Sequence, residues 1–137
     1  MPSSSTANHL TYKPGSVIFE EGQSGDAVYL IVGGKVEIRI GSHGGNPRTF
    51  ATCSKGEVIG EIALFDDQAH LGTAVAIENT TVVAMSREEF RKLVDAMPPV
   101  IRGIVLLMVK RFRENFEWVK PQRREVNLAN WKPEKKK

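Results

Sequence analysis

The chain has 137 residues, enough for one compact domain and too few for two. Its apolar fraction of 41% is ordinary for a globular protein, and no run approaches the ~20 apolar residues that cross a bilayer. The single Cys53 excludes an internal disulfide, and three histidines far apart in the sequence predict no metal site. Met1–Asn8 is short and polar without an apolar signal core, which favours a cytoplasmic protein.

The net charge of +3 is distributed unevenly along the chain. Residues 120–137 hold seven of the 19 Lys and Arg residues and two of the 16 Asp and Glu residues, so this segment carries +5 and the rest carries −2. We interpret residues 121–137 as a basic, solvated tail with no specific nucleic-acid target. Residues 1–10 are interpreted as a disordered leader, which leaves residues 11–120 for the domain.

Short β-rich runs separated by turn residues follow the leader. The clearest runs are Val17–Phe19, Ala27–Val32 and Val36–Ile40. In the last of these, Val36, Ile38 and Ile40 alternate with charged residues, which is the period of a half-buried strand. The segment 41–47 predicts a hairpin tip, and two more strands are expected on either side of residues 78–79. About eight short strands over residues 12–85 predict a barrel or jelly roll.

The pattern becomes helical at Ser86. Ser86 followed by Glu89 is a capping box, and the adjacent Pro98 and Pro99 end the first helix and open the second, so helices are predicted over residues 86–119. The second helix has one apolar stripe, made of Ile101, Ile104, Val105, Met108, Phe112 and Phe116. Leu106, Leu107 and Val109 widen its apolar surface beyond one stripe. We therefore predict a homodimer through the helix at residues 100–119.

No constellation of catalytic side chains is evident in the sequence. The acidic pairs Asp66-Asp67 and Glu88-Glu89 are adjacent residues whose side chains diverge on a helix or strand, so neither pair can frame a substrate. Cys53 has no sequence-evident base. The chain is therefore interpreted as a protein without enzymatic activity.

Three stretches, in this order, resemble the cyclic nucleotide-binding domain. They are "YKPGSVIFEEGQSGDAVYLIVGGKVEIRI" (12–40), "KGEVIGEIAL" (55–64) and "SREEFRKLVDAMPPVIRGIVLLMVKRF" (86–112). The family includes catabolite-activator-type regulators, regulatory subunits of cAMP-dependent protein kinase and cyclic-nucleotide-gated channels. The resemblance implies a mainly β fold with C-terminal helices, in which a double-stranded β-helix (a jelly-roll-like β-roll) precedes a helix pair. In catabolite-activator-type relatives the long helix pairs with its twin and caps the ligand base.

The middle stretch is similar to the family's phosphate-binding cassette, which reads roughly Gly-Glu-x-Ala-Leu and then Pro-Arg-Ala-Ala-Thr. In the family the glutamate binds the ribose, the arginine binds the cyclic phosphate, and backbone N–H groups of a short helix complete the site. The resemblance implies cAMP or cGMP as the candidate ligand. It implies the following ligand-binding positions: Gly60, Glu61, Ile62, Ala63, His70, Leu71 and Thr73.

The phosphate half of the cassette departs from the family pattern, because His70 stands at the arginine position. A histidine is mostly neutral at pH 7 and has no guanidinium fork. Asp66 and Asp67 would repel a phosphate if they face the pocket. We expect cAMP and cGMP to bind weakly or not detectably. His70 is interpreted as an ordinary loop histidine exposed to water, and the alternative is a weak or pH-dependent phosphate contact. Arg39 and Arg48 are candidates to replace the lost charge.

The sequence thus favours a sensor or regulatory domain in which a ligand at the cassette moves the C-terminal helices. No DNA-binding, kinase or channel segment is evident, so its output is expected to lie in another polypeptide, an unidentified downstream partner. The alternative is a degenerate domain that binds no cyclic nucleotide and acts as a protein-interaction scaffold.

Overall fold

A computed structural model describes residues 9–41 and 46–116. These residues form eight strands and three helices. The strands are β1 (His9–Tyr12), β2 (Val17–Phe19), β3 (Ala27–Gly33), β4 (Lys35–Ile40), β5 (Arg48–Ser54), β6 (Val58–Ile59), β7 (Thr73–Ala76) and β8 (Thr80–Ser86). The helices are α1 (Glu61–Asp66), α2 (Arg87–Asp95) and α3 (Pro99–Phe116). No helix within these ranges is both long and apolar enough to cross a membrane.

The strands form two four-stranded antiparallel sheets in the orders β1-β8-β3-β6 and β2-β7-β4-β5. The core lies between the sheets, where Ile31, Val36 and Val82 are fully buried. This arrangement confirms the predicted fold class, a mainly β roll with C-terminal helices. The first strand includes His9 and Leu10, which the sequence interpretation assigned to the leader, because both pair with β8.

Local sequence patterns predicted several elements correctly. Val36 and Ile40 of β4 are buried as their alternation indicated. The Ser86 hydroxyl accepts a hydrogen bond from the Glu89 backbone N–H at 3.1 Å and caps α2, and α3 begins at Pro99. Residues 1–8, the hairpin-tip residues 42–45 and the segment 117–137, with the predicted tail, lie outside the described residues.

The face of α3 that packs on the roll differs from the predicted one. The buried side chains are Val109 and Phe116, with Val105 half-buried, whereas the predicted stripe included Ile101, Ile104 and Met108, which are exposed. The helix carries apolar residues on two faces, so periodicity alone did not decide which one packs. Six large apolar residues form what we call the exposed face of α3: Val100, Ile101, Ile104, Leu107, Met108 and Phe112.

Candidate functional site

The turn from β6 into α1 begins the segment that we call the cassette segment, residues 60–73. Gly60 adopts the left-handed conformation at φ 84°, and a Cβ there would lie 3.3 Å from Phe19 Cε2 and 3.5 Å from His70 Cε1. Glycine is therefore favoured both by the backbone angle and by the neighbouring rings. Behind this turn, Ala63 and Leu64 are buried against β3, which fixes α1 on the roll.

A cavity of about 190 Å³ lies beside this turn, between the β2-β7-β4-β5 sheet and α3. Most of the side chains in its wall are apolar. The wall consists of Phe19, Ile38, Phe50, Ala51, Cys53, Val58, Ile59, Gly60, Glu61, Ile62, His70, Leu71, Gly72, Phe112 and Phe116. Of the seven predicted ligand-binding residues, five lie in this wall, and Ala63 and Thr73 do not.

Glu61, at the first position of α1, is the one carboxylate that the described residues contribute to the wall. Burial raises the pKa of this carboxyl, and its own backbone N–H opposes the rise. None of the described residues forms a salt bridge with Glu61, although its position resembles that of the family's ribose ligand. The site therefore contains a partly buried acid that favours a hydrogen-bond donor over an anion.

His70 is buried, with 6% exposure, so the interpretation as a histidine exposed to water is wrong. Its ring stacks on Phe19 with the centroids 3.9 Å apart and the planes 15° from parallel. The reason lies in the backbone: the His70 N–H donates to the Gln23 carbonyl at 2.9 Å, and the His70 carbonyl accepts from Gly22 N–H at 3.0 Å. These bonds join the loop to the β2–β3 turn, with the ring on the core side.

The surroundings of His70 also determine its charge. Burial lowers the pKa of the imidazole, nearby Asp26 opposes this, and Arg113 lowers it further. A lowered pKa makes His70 neutral at pH 7. The residue at the family's arginine position therefore contributes a flat, uncharged ring to the cavity.

The residues after His70 fit closely against the roll. Leu71 lines the cavity, and a Cβ on Gly72 would lie 2.9 Å from both the Arg39 carbonyl oxygen and Ile38 Cγ2. The Thr73 hydroxyl accepts a hydrogen bond from Glu21 N–H at 3.0 Å and is buried. Thr73 therefore connects β7 to the β2–β3 turn, outside the cavity wall.

Asp66, at the end of α1, pairs with Arg113 of α3. The guanidinium Nε lies 2.5 Å from Asp66 Oδ2, and a second nitrogen lies 3.0 Å from Oδ1 and 3.1 Å from the Ala69 carbonyl oxygen. Both side chains are mostly buried, at 17% and 16% exposure. A bidentate pair of this kind is strong and geometrically specific, so it fixes α3 against the cassette segment.

Asp67 adopts a left-handed conformation at φ 59° and binds a different helix. Its carboxylate pairs with Arg87 and, at 2.8 Å, with Arg91, both on α2. Neither Asp66 nor Asp67 lines the cavity, so the expectation that both repel a ligand there does not hold. Sequence reasoning missed the arginine partners because they lie 20 or more residues away, with no local signal for the contact.

Neither candidate for a replacement charge reaches the cavity. Arg39 pairs with Glu37 of its own strand at 2.9 Å, and Arg48 is exposed at the start of β5. Within the described parts of the chain, the wall of the cavity therefore contains no Lys or Arg. Cys53, the remaining titratable group there, has its pKa raised to about 11, chiefly by burial, and stays a neutral thiol.

Helix α3 closes the outer side of the cavity through an aromatic cluster. The Phe50 ring of β5 meets Phe112 with centroids 6.4 Å apart and Phe116 at 5.3 Å, both edge to face. Because the two phenylalanines are on α3, the position of this helix determines the shape of the cavity.

An antiparallel β-roll, a glycine turn into a short helix and a long helix over the same cavity define a ligand-binding regulatory fold. The family model described as "Cyclic nucleotide-binding domain" matches residues 9–97, and the chain belongs to that family.

Individual relatives support the same assignment. The cyclic AMP receptor protein of Thermus thermophilus is 37% identical over 103 residues, which are 75% of this chain and 48% of that protein. The crystal structure of the catabolite activator protein of Thermus thermophilus matches with a TM-score of 0.63 and 30% identity, over 94% of this chain and 60% of that one. The cGMP-bound EAL enzyme Bd1971 matches with a TM-score of 0.71 and 25% identity, over 77% of this chain and 28% of that one. The chain spans about half the length of the first curated relatives it matches.

Proposed function

We propose that this domain is a regulatory module in which occupancy of the cavity beside the cassette segment is coupled to the position of α3. The observation that carries the proposal is the bidentate Asp66–Arg113 pair, which connects the cassette segment directly to α3. A third hydrogen bond from Arg113 to the Ala69 carbonyl reaches the residue before His70, so the guanidinium holds both ends of the loop between α1 and the cavity wall.

Coupling requires that a ligand bind one position of α3 better than another. Helix α3 supplies part of the cavity wall, through Phe112 and Phe116, as well as the cation of the ion pair. A molecule that enters the cavity therefore contacts the helix itself, and its binding energy differs between positions of the helix. The partner that detects this movement is an unidentified protein.

Cyclic nucleotides are expected to be weak ligands of this cavity. A hydrogen bond to a charged group contributes about 1.5–3 kcal/mol, or roughly ten- to a hundredfold in affinity, and the described residues of the wall include no Lys or Arg to make one. His70 is neutral and its ring is stacked on Phe19, and Glu61 adds a negative charge. The backbone turn that resembles the family's phosphate site remains in place.

We also propose that the exposed face of α3 binds a second copy of this chain. Val100, Ile104 and Leu107 follow one another at the spacing of three to four residues found in paired helices, Met108 lies one turn after Ile104, and all four are exposed. Light scattering on wild type and Leu107→Glu tests this proposal, with Lys110→Glu, at an exposed position of the same helix outside this face, as the control for an added carboxylate. A wild-type monomer at high micromolar concentration would exclude the dimer.

The alternative, a scaffold that binds no small molecule, is favoured by one observation. The acidic and aromatic groups of residues 66–70 already have partners within the protein. In a scaffold, the same contacts would serve only to fix the helices on the roll.

The deciding experiment combines calorimetry with hydrogen exchange of α3. Titration of cAMP and cGMP into the wild type should give weak or undetectable binding, and His70→Arg should raise the affinity tenfold or more. Gln68→Arg, which adds the same charge at an exposed neighbouring position, serves as the control. A ligand that binds should change exchange in α3, and the change should disappear in Arg113→Gln. Micromolar wild-type binding of cAMP or cGMP would refute weak binding, and binding without any change in α3 would refute the coupling.

A further inference from the structure

The cavity beside the cassette segment has a chemistry of its own, distinct from that of a phosphate site. We propose that it binds an uncharged aromatic molecule of one or two fused rings that donates one hydrogen bond, a molecule of the size and chemistry of indole. The inference rests on the proposed function above, since it specifies the class of ligand for the same site.

Size is the first argument. The cavity measures about 190 Å³. An apolar cavity of ~150 Å³ lined by aliphatic and aromatic residues is large enough to bind benzene. Sites for larger, drug-sized ligands begin at about 300 Å³. The volume therefore suits one or two fused rings, whereas a ligand that carries a ribose, a base and a phosphate would extend beyond the cavity.

The wall of the cavity is the second argument. Phe19 and the stacked His70 form a flat base, while Phe50 meets Phe112 and Phe116 edge to face on the outer side. Rings arranged in these ways offer both faces and edges to a bound ring, which prefers offset-stacked or edge-to-face contacts. Ile38, on the sheet side, completes an apolar surface whose burial drives binding.

Charge is the third argument. Among the residues that the structure describes, the ionisable side chains in the wall are Glu61, His70 and Cys53. His70 and Cys53 are neutral at pH 7, because burial lowers the pKa of the first and raises that of the second. Arg113, whose charge acts on His70, is already paired with Asp66. An anionic ligand would meet the Glu61 carboxylate without a compensating cation, whereas an N–H or O–H donor on a neutral ring would satisfy it.

Indole and indole-2-carboxylate separate these arguments experimentally, because the two molecules share a ring system and differ in charge. Calorimetry on the full chain should show saturable binding of indole, with the carboxylate binding at least tenfold more weakly. Glu61→Gln should reduce that ratio severalfold, since it removes the repulsion and keeps the shape. Ala51→Leu, which adds volume to the wall, should weaken indole binding at least tenfold. Thermal unfolding of each variant establishes that it is folded.

The outcomes distinguish this inference from the proposed function. Binding of indole without a change in α3 hydrogen exchange supports the ligand class and refutes the coupling. No indole binding, together with micromolar binding of cAMP, overturns the ligand class and leaves a regulated ligand site. Equal affinity for indole and its carboxylate in the wild type overturns the charge argument and with it the proposal. If neither indole nor a cyclic nucleotide binds, both proposals fall and the scaffold interpretation replaces them.

Discussion

The two halves of the cassette segment share one loop but differ in what their side chains contact. In residues 60–64, Gly60 turns the chain, Glu61 faces the cavity without a salt bridge among the described residues, and Leu64 packs in the core. In residues 66–73, the polar side chains bind the protein itself: Asp66 binds α3, and His70 stacks on Phe19.

This difference shows how a binding loop can keep its backbone while its side chains acquire structural contacts. The first half depends on backbone geometry that a glycine and a short helix provide, whatever the ligand. The second half provided, in the family pattern, the cation for a phosphate. Here the cations near this loop come from other helices and are already paired with its carboxylates: Arg113 with Asp66, and Arg87 and Arg91 with Asp67.

The largest effect is expected from the ion pair in the second half. Arg113→Gln leaves the Asp66 carboxylate mostly buried without its partner and should lower the free energy of unfolding by about 1–3 kcal/mol. Asp67→Asn is the matched control on the neighbouring aspartate. Its side chain is 52% exposed, so the loss should be within about 1 kcal/mol. Urea unfolding measures both values, and equal losses would contradict the distinction between the two aspartates.

The same pair permits a double-mutant cycle with Asp66→Asn and Arg113→Gln. We expect a coupling energy that is larger than that of Asp67→Asn with Arg91→Gln, because only the first pair is mostly shielded from water. A coupling energy near zero for Asp66 and Arg113 would show that the two residues act independently.

Gly60 and Gly72 allow a further comparison of the two halves of the cassette segment. Substituting either glycine by alanine should have an intermediate effect on stability. Gly72→Ala places a methyl group 2.9 Å from the main chain of β4 and should destabilise the roll by about 1–3 kcal/mol. Gly60→Ala should cost about 1–2 kcal/mol, chiefly because alanine disfavours the left-handed conformation. Gly56→Ala, at φ 93° with no atom within 4 Å of the added Cβ, isolates the cost of the backbone angle. Gly72 has no left-handed backbone angle, so a Gly72→Ala variant with the thermal stability of the wild type would contradict the packing argument.

The smallest expected effect is a dependence of folding stability on pH. Its sign differs between the two halves of the cassette segment. The lowered pKa of His70 means that the unfolded chain takes up this proton first, so stability is lost as the pH falls from about 6.5 through the folded pKa. The raised pKa of Glu61 acts the other way, since the folded domain takes up that proton first, and its contribution is lost as the pH rises through the folded pKa.

Urea unfolding between pH 7.5 and pH 4 tests both signs. His70→Phe keeps a ring against Phe19 and should remove the loss below pH 6.5. Glu61→Gln should raise stability at pH 7 and remove the opposite trend at lower pH. A wild-type stability that is constant from pH 7 to the folded pKa of His70 would contradict the assignment of a buried, neutral histidine.

Features that depend on residues close in the sequence were predictable. The alternation in β4, the capping of α2 by Ser86 and the start of α3 at Pro99 each involve interactions within a few residues. The fold class followed from them and from the order of the three stretches that resemble the family. Glu61 and His70 line the same cavity, and the ligand-binding roles that the resemblance implies for them stay predictions.

Features that depend on tertiary packing were not predictable. Arg113 and Asp66 are 47 residues apart, so no sequence period indicates their contact. The side of α3 that packs on the roll follows from that contact, because Val109 lies one helical turn before Arg113 on the same face. The burial of His70 is set by hydrogen bonds from its backbone to the β2–β3 turn, which its side chain does not reveal.

Phe112 lies both in the wall of the cavity and, at 40% exposure, on the exposed face of α3. In a dimer formed through this face, one side chain would belong to the ligand site and to the subunit interface together. Thermodynamic reciprocity then requires that the ligand change the dimerisation constant by the same factor by which dimerisation changes ligand affinity. The apparent affinity of this domain would accordingly depend on its own concentration, so that a cell would adjust the sensitivity of the module simply by changing how much of it is made.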